Sequence, residues 1–242
     1  MSAERRAPLS EGKAKILYST DRTDFIVQHF KDDATGFNGL KKGQILGKGP
    51  INNSISAWVF QYLEKHGIPT HFVEKTAERE MLIKRVKIIP VEVVVRNQAA
   101  GSICKRLGIE KKHRFEPPFV EFFLKSDELG DPLISERHIF YFKWATPEQL
   151  KEMETKALLV NKLLSEVFDQ VGLTLVDFKL EFGTDTDGRI LLADEFTGDG
   201  CRLWDKESGE PLDKDRFRHD LGRVEESYQE VYQRLKRHFE GN

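Results

Sequence analysis

One alternating segment late in the chain constrains its fold more than any other feature. Between residues 177 and 182, Asp177, Lys179 and Glu181 occupy the odd positions and apolar side chains occupy the even ones. This period-2 pattern is typical of a half-buried β-strand. Residues 184–188 are rich in turn formers, and residues 189–195 predict a returning strand. The segment therefore predicts a β-hairpin with one charged face.

The hairpin and the residues after it are acidic. From Asp177 to Asp205 the sequence holds eight carboxylates and three basic side chains. Carboxylates gathered at strand ends repel one another unless a cation or a basic ligand lies between them. Mg²⁺ takes one or two such oxygens and completes its coordination with water and phosphate. The alternative is a solvated acidic hairpin, but the three charges on one strand face favour phosphate chemistry.

Composition restricts the class of protein. The 242 residues include 38 Lys and Arg against 40 Asp and Glu, a formal charge of −2, which favours neither nucleic acid nor a membrane surface as a partner. The sequence contains no stretch near the roughly 18 apolar residues of a membrane span. Cys104 and Cys201 lack metal-type spacing, which indicates reduced thiols in a cytoplasmic protein.

A second hairpin is predicted near the N-terminus, from strands at residues 13–19 and 25–30. Lys13 and Lys15 alternate onto one face of the first strand, directly after Gly12. A glycine beside two lysines can lay backbone and ammonium groups along a polyphosphate. The alternative is that both lysines are solubilising edge residues.

Residues 34–50 contain five glycines and predict a long flexible loop, either functional or disordered. The loop is not a phosphate-binding P-loop, because its spacing is wrong and Gly49 stands where Ser or Thr is required. Helices are predicted at residues 53–66, 146–172 and 213–239. Helices and antiparallel strands alternate without a regular βαβ rhythm, which favours the α+β class.

Arg96 ends a valine-rich strand predicted at residues 90–96. A guanidinium at the inner end of a buried strand needs an anionic partner. That partner could be a structural carboxylate such as Glu92, or a ligand. Residues 97–102 form a turn of small residues that ends at Ser102. Arg96 and Ser102 could therefore clamp a phosphate.

Together these residues predict two anions in one cleft. The acidic hairpin would hold the Mg²⁺ of a nucleoside triphosphate, and the N-terminal lysines would neutralise its phosphates. Arg96, Ser102 and Arg202 would hold a second substrate that carries a phosphate. The residues alone thus indicate an enzyme that uses Mg·ATP and an anionic second substrate.

Eight collinear segments resemble a known family: EGKAKILY, IIPVEVVVRNQAAGS, KRLGI, DPLISE, LVDFKLEFG, LLADEF, CRLWD and DKDRFR. They are similar to SAICAR synthetases of the bacterial single-function type, the phosphoribosylaminoimidazole-succinocarboxamide synthases. The resemblance implies a ligase of de novo purine biosynthesis that condenses CAIR with L-aspartate to SAICAR, converting ATP to ADP and phosphate. Because a carboxylate is a poor acylating agent, the simplest route is its activation as an acyl phosphate made from ATP. It also implies two α+β domains, residues 1–88 and 89–242, with the ATP cleft between them, and a homodimer. The smaller domain would resemble the ATP-covering lobes of kinases and ATP-grasp enzymes.

The resemblance also assigns roles to residues. On the ATP side, two lysines would contact phosphates, the backbone near residues 84–88 would bind adenine, and two carboxylates would bind Mg²⁺. These residues are Lys13 and Lys15 for phosphate, Lys84 and Ile88 for adenine, and Glu181 and Asp194 for Mg²⁺, with Glu181 also on the nucleotide.

On the other side, five residues would surround CAIR, with the arginines and the serine on its phosphate. These are Arg96, Ser102, Asp199, Arg202 and Arg218. Three more residues, Asp131, Asp177 and Lys179, would line the reacting region as catalytic residues.

The chain departs from the family pattern at two positions. Asn38 stands where some relatives carry Asp, so it cannot act as a base. Gly198 replaces a common proline. Two other functions stay open at this point, a small-molecule kinase and a non-catalytic nucleotide-binding module. The kinase would share the ATP site and phosphate clamp but stop at phosphoryl transfer, whereas the binding module would show no turnover at all.

Overall fold

The fold is that of a computed structural model, which describes residues 3–37 and 39–241. Its strands are β1 (Arg5–Glu11), β2 (Lys15–Thr20), β3 (Phe25–Phe30), β4 (Asp33–Gly36), β5 (Lys41–Gln44), β6 (Phe72–Ala77), β7 (Glu80–Lys84), β8 (Lys87–Gln98), β9 (Arg114–Leu124), β10 (Leu133–Ile134), β11 (Leu173–Thr184), β12 (Ile190–Ala193) and β13 (Cys201–Asp205). Its α-helices are α1 (Lys48–Lys65), α2 (Ser102–Leu107), α3 (Glu136–Tyr141), α4 (Pro147–Gln170), α5 (Asp215–Arg218) and α6 (Val224–Glu240).

The N-terminal strands form a five-stranded antiparallel sheet in the order β1-β2-β3-β7-β6. The predicted hairpin is confirmed, with Lys15 of β2 opposite Phe30 of β3. Strand β2 begins at Lys15, so Lys13 lies in the bend before it and not on the strand. The prediction that both lysines alternate along one strand was therefore wrong for Lys13.

Strand β11 occupies the middle of the second sheet, which has the order β10-β9-β8-β11-β12 with β13 also paired to β11. The late hairpin is confirmed, because Glu181 of β11 lies opposite Ala193 of β12. The charged face is not solvated, however. Asp177 and Glu181 are only 3% and 2% exposed, because basic side chains of neighbouring elements pack against them.

The glycine-rich segment is more ordered than predicted. Strands β4 and β5 pair antiparallel within it, and Asn38 lies outside the described residues. Helix α1 begins at Lys48, earlier than residue 53, because the Asp32 carboxylate accepts hydrogen bonds from the backbone N–H groups of Gly47 and Gly49 at 3.3 and 2.8 Å. A Cβ on Gly43 would lie 2.9 Å from the Phe217 ring, so this glycine permits close packing against α5.

Helix α4 begins as predicted, since Thr146 and Gln149 form a capping box around its first residue, Pro147. The single C-terminal helix predicted at residues 213–239 is wrong. Asp220, Gly222 and Arg223 adopt φ angles of 53°, 69° and 51°, which a right-handed helix cannot accommodate. The chain therefore breaks between α5 and α6.

A continuous apolar core joins the two sheets and contains side chains of α1, α4 and α6. The first sheet uses residues 5–84 and the second residues 87–205. The division into domains at residue 88 stays a prediction. None of the helices within residues 3–37 and 39–241 combines the length and apolar composition needed to cross a membrane.

Candidate functional site

Two cavities open between the sheets and meet. The larger, of about 620 Å³, is lined by residues of both sheets and of the segments around α2 and α5. The smaller, of about 260 Å³, lies against β2, β3 and β7. Both are lined by the same five residues at their junction, Gly12, Lys15, Lys125, Glu181 and Asp194. Predicted phosphate and metal residues therefore stand where the cavities join.

A cluster of opposite charges fills this junction. Glu92 of β8 lies directly opposite Glu181 of β11, and Lys179 contacts both carboxylates, with its Nζ 3.1 Å from Glu92 Oε1. Lys179 Nζ also lies 3.2 Å from Asp194 Oδ2. Lys125 Nζ lies 2.8 Å from Glu181 Oε1. The lysines keep the carboxylates together despite their mutual repulsion.

The electrostatics fix the charge states of this cluster. Burial alone would lower the pKa of Lys179, but Glu181 and Glu92 outweigh it and raise that pKa well above its usual range. Burial would raise the pKa of Glu181, but Lys179, Lys125 and Lys15 outweigh it and hold that pKa far below its usual range. Lys179 is therefore a fixed cation, not a base, and Glu181 is a fixed anion.

Lys15 reaches the junction from the first sheet and contacts the carboxylates of both Asp194 and Glu195. Asp194 follows the end of β12 and has a φ angle of 66°, a left-handed conformation that non-glycine residues rarely adopt. Such backbone strain persists where the surrounding structure enforces it, often at functional sites. The turn thereby directs Asp194 towards Lys15 and Lys179.

A chain of alternating charges runs beneath and along the larger cavity. Asp177 accepts from Arg96 Nη1 at 2.7 Å and from Arg202 Nη1 at 2.8 Å. Asp215 then bridges Arg202 Nε at 2.8 Å and Arg218 Nη1 at 2.6 Å. Arg202 and Arg218 line the cavity, and the two aspartates hold their planar groups in fixed orientations.

Arg96 is buried against two carboxylates. It is 4% exposed, is bonded to Glu121 and Asp177, and is not among the described residues that line the larger cavity. Its carboxylate partner is also not Glu92. Residues four apart on a strand are separated by about 13 Å, so Arg96 pairs instead with Glu121 of β9 and Asp177 of β11.

Gly101 permits the close packing of Arg202 against the turn before α2. A Cβ on Gly101 would lie 2.9 Å from Arg202 Cζ, and the glycine has a φ of 65°. Ser102 and Lys105 of α2 line the same cavity as Arg202. The close contact with the Arg202 guanidinium therefore explains why a glycine occupies position 101.

Asp199 lines the larger cavity, but its oxygens are engaged by neighbouring side chains. Oδ2 accepts from Lys48 at 2.5 Å and from Asn52 at 3.0 Å, and Oδ1 accepts from the Tyr228 hydroxyl at 3.0 Å. Burial would raise the pKa of Asp199, but Lys48 and Lys214 outweigh it and hold it below its usual range. Asp199 therefore ties α1 and α6 to the turn before β13.

The remaining predicted residues lie around the same cavities. Asp131 lines the larger cavity, and its Oδ1 accepts from the Ser126 N–H at 2.9 Å. Lys13 lines it too and bonds Asp127 at 2.7 Å. Lys84 and Ile88 line the smaller cavity. Apart from Arg96 and Asp177, the predicted residues thus line one or both cavities.

Several residues of the site were missed as functional candidates. Glu195 follows a predicted metal ligand directly in sequence, so proximity alone could have indicated it. Glu92 shares the charged face of its strand, but the sequence does not show that β8 lies beside β11. No sequence pattern indicates a functional role for Lys48, Asp215 or Tyr228, because only tertiary packing brings them to Asp199 or Arg202.

Comparison with known proteins agrees with this geometry. Residues 8–235 match the family model for SAICAR synthetase. The chain is 54% identical over 234 residues to the phosphoribosylaminoimidazole-succinocarboxamide synthase of Persephonella marina, covering 97% of this chain and 98% of the relative.

Solved structures show the same similarity. The phosphoribosylaminoimidazole-succinocarboxamide synthase of Ehrlichia chaffeensis superposes with a TM-score of 0.93 at 46% identity, covering 95% of this chain and 98% of that one. A SAICAR synthetase in complex with ADP superposes with a TM-score of 0.91 at 43% identity, covering 93% and 96%. The predicted α+β fold and ligase activity are thereby confirmed. The chain belongs to the SAICAR synthetase family, whose members condense CAIR with aspartate at the expense of ATP.

Proposed function

We propose that the two joined cavities bind the substrates of this condensation end to end. The base of ATP occupies the smaller cavity, hereafter the base compartment, and CAIR and L-aspartate occupy the larger one. The observation that carries the proposal is the shared junction, where Lys15, Glu181 and Asp194 line both cavities. The triphosphate must cross this junction to bring its γ-phosphoryl group to CAIR.

The nucleotide side combines apolar walls with fixed charges. Ile26, Ile83 and Ile88 line the base compartment beside Lys84, which suits a flat heterocycle. Lys15 extends from β2 into the junction and contacts the phosphates, while Lys13 reaches them from the bend before β2. Fixed lysines offset the negative charge that builds on the transferred phosphoryl group.

The junction has oxygen donors that suit Mg²⁺. Glu92, Glu181, Asp194 and Glu195 supply four negative charges, and Lys15, Lys125 and Lys179 supply three positive ones, leaving one net negative charge. The described residues hold no cluster of three or more side chains able to ligate a metal by themselves. Mg²⁺, however, needs only one or two carboxylates when phosphates complete its shell. Glu181 and Asp194 would hold the ion, which would offset the charge of the phosphates.

The CAIR side is a phosphate clamp. Arg202, Arg218 and Ser102 line the larger cavity and bind the phosphate of CAIR. Asp177 and Asp215 orient the two arginines. Arg96 shares Asp177 with Arg202 and so acts as a positioning residue, while its contact with the phosphate of CAIR stays a prediction. Asp199 similarly holds the turn that leads into Arg202.

The chemistry follows from this arrangement. An oxygen of the CAIR carboxylate attacks the γ-phosphorus, and the bond from phosphorus to ADP breaks. The ammonium group of aspartate gives up a proton to Asp131, and the resulting amine attacks the acyl carbon. The bond from the acyl carbon to the phosphate oxygen then breaks, and the released phosphate takes the second proton from the nitrogen. Asp131 binds the ammonium group of aspartate, and Lys179, fixed as a cation, stabilises the developing negative charge. Holding three substrates together supplies an entropic advantage of about 7–11 kcal/mol.

Oxygen-18 in the CAIR carboxylate tests this route directly. Activation as an acyl phosphate transfers one labelled oxygen to each phosphate released, and mass spectrometry of the phosphate detects it. Unlabelled phosphate formed together with SAICAR would contradict the acyl phosphate. The homodimer and the cytoplasmic location stay predictions.

A further inference from the structure

Two buried polar side chains of the base compartment have atoms without a partner. Gln28 and His71 are 1% and 2% exposed and line this cavity. The Nε2 atom of each is buried and makes no hydrogen bond to any described residue. Leaving such an atom unpaired destabilises the fold, so native proteins rarely do so without a reason.

Gln28 is a polar residue on an apolar wall. In β3 it lies opposite Leu17 of β2 and Met81 of β7. Ile26, two residues before it, shares its face of the sheet and also lines the compartment. Strands on both sides fix the position of Gln28, so its amide is held in place before any ligand arrives.

His71 also lines the compartment. Its backbone N–H donates to the Leu192 carbonyl at 2.9 Å, and its carbonyl accepts from the Lys84 N–H, which fixes it between the two sheets. Burial, followed by the nearby Lys15 and Lys84, lowers the pKa of His71 to about 3. The ring is therefore neutral, with one nitrogen as donor and the other as acceptor.

We infer that Gln28 and His71 read the hydrogen-bonding edge of the purine base and so determine the specificity of the site for adenine. The inference rests on the proposed function, which places the base in this compartment. A glutamine amide can pair with the 6-amino group and N7 of adenine. Hypoxanthine carries an oxygen at position 6, so it would leave the buried amide mismatched. A site built on such hydrogen bonds discriminates more strongly than an apolar pocket.

The test is the affinity of the whole chain for ADP and for IDP, measured by isothermal titration calorimetry. Gln28→Met keeps the length of the side chain but removes its amide, and His71→Leu removes the ring nitrogens. Each should weaken ADP binding about 3- to 10-fold, the value of one neutral hydrogen bond. IDP binding should change less than about 2-fold by the same reasoning, so the preference for ADP falls.

Two controls separate recognition from structure. Gln61→Met makes the same chemical change on the exposed face of α1 and should alter neither affinity. His71→Gln restores a hydrogen-bonding amide and should recover part of the lost ADP affinity. Without ligand, Gln28→Met should unfold at the same or a higher temperature, because it removes an unpaired buried donor. A purely structural glutamine would lower the unfolding temperature instead.

The inference is overturned if both Gln28→Met and His71→Leu keep the wild-type ratio of ADP to IDP affinity. If that happens while the wild-type chain still makes SAICAR from ATP, the proposed function stands and only the recognition role fails. A wild-type chain that neither binds ADP nor makes SAICAR would overturn both. A Gln28→Met chain that does not fold would show that the glutamine is structural and would overturn the inference for Gln28. The ADP and IDP affinities of His71→Leu then decide the role of His71.

Discussion

The ammonium group of Lys48 lies 2.5 Å from the carboxylate of Asp199, although Lys48 has no exposed side-chain surface. The pair connects the first turn of α1 to the turn before β13, which leads into Arg202. A buried ion pair of this kind is costly to break, because removal of one partner leaves the other charge without compensation. The fold beneath the proposed CAIR site therefore depends on this contact.

Replacing this lysine should destabilise the chain. We expect Lys48→Met to lower the free energy of unfolding by about 3–5 kcal/mol, since it leaves Asp199 buried with weaker compensation. Urea denaturation measures the difference. Lys65→Met, an exposed lysine at the end of the same helix, should change stability by less than about 0.5 kcal/mol. Equal effects at both positions would contradict the interpretation.

Gly101 should control how Arg202 meets CAIR. Gly101→Ala places a methyl group against the guanidinium and strains a residue with positive φ. We expect the KM for CAIR to rise about 10- to 100-fold, as displacements near 1 Å can, while the KM for ATP changes little. Gly108→Ala is the matched control, because Gly108 has a φ of 64° with no neighbour within 4 Å. If both variants raise the KM for CAIR equally, backbone strain and not Arg202 is the cause.

Asp194 should be required for turnover. Asp194→Asn removes a carboxylate from the junction and should lower kcat by about 10²- to 10³-fold, comparable to the loss of one preorganised electrostatic group. SAICAR formation at increasing Mg²⁺ measures the effect. Asp187→Asn alters an exposed carboxylate of the neighbouring turn and should leave kcat unchanged. Near-normal turnover of Asp194→Asn at saturating Mg²⁺ would refute the assignment.

His71 should make the unliganded chain sensitive to acid. The pKa of His71 is about 3 in the fold against 6.5 for the free side chain. Between these pH values the unfolded chain binds a proton at His71 and the folded chain does not. Stability is therefore lost as the pH falls below 6.5, by about 2 kcal/mol between pH 7 and pH 5 from this residue alone. His71→Gln should lose correspondingly less stability over the same interval in chemical denaturation. Parallel pH profiles for the two chains would show that His71 is not responsible.

Sequence periodicity predicted most strands and helices well, but it did not predict which of them pack against one another. The alternation around Lys179 gave both the strand and its charged face, because strand geometry is local. Whether that face meets solvent or another sheet depends on tertiary packing, so the burial of Asp177 and Glu181 could not be predicted. The same limit explains Arg96, whose partners Glu121 and Asp177 come from two other strands.

The glycine-rich segment shows a different limit. Its composition predicted a loop, yet β4 and β5 form within it, because pairing and the contact of Gly43 with Phe217 compensate for weak strand propensity. It was easier to predict that Lys13 and Lys15 lie close together, since the bend and the strand that carry them are adjacent in sequence. The roles of the individual site residues came from the family resemblance, and the contacts now explain how each side chain is held.

The most direct test of the account is ADP release from the purified chain with Mg·ATP, CAIR and L-aspartate, omitting each in turn. We expect release only when all three are present, with SAICAR formed in equal amount, because the joined cavities bring the γ-phosphoryl group, the carboxylate and the amine together. ADP formed in full amount from ATP and CAIR alone, without any SAICAR on adding aspartate, would contradict the condensation and indicate a kinase.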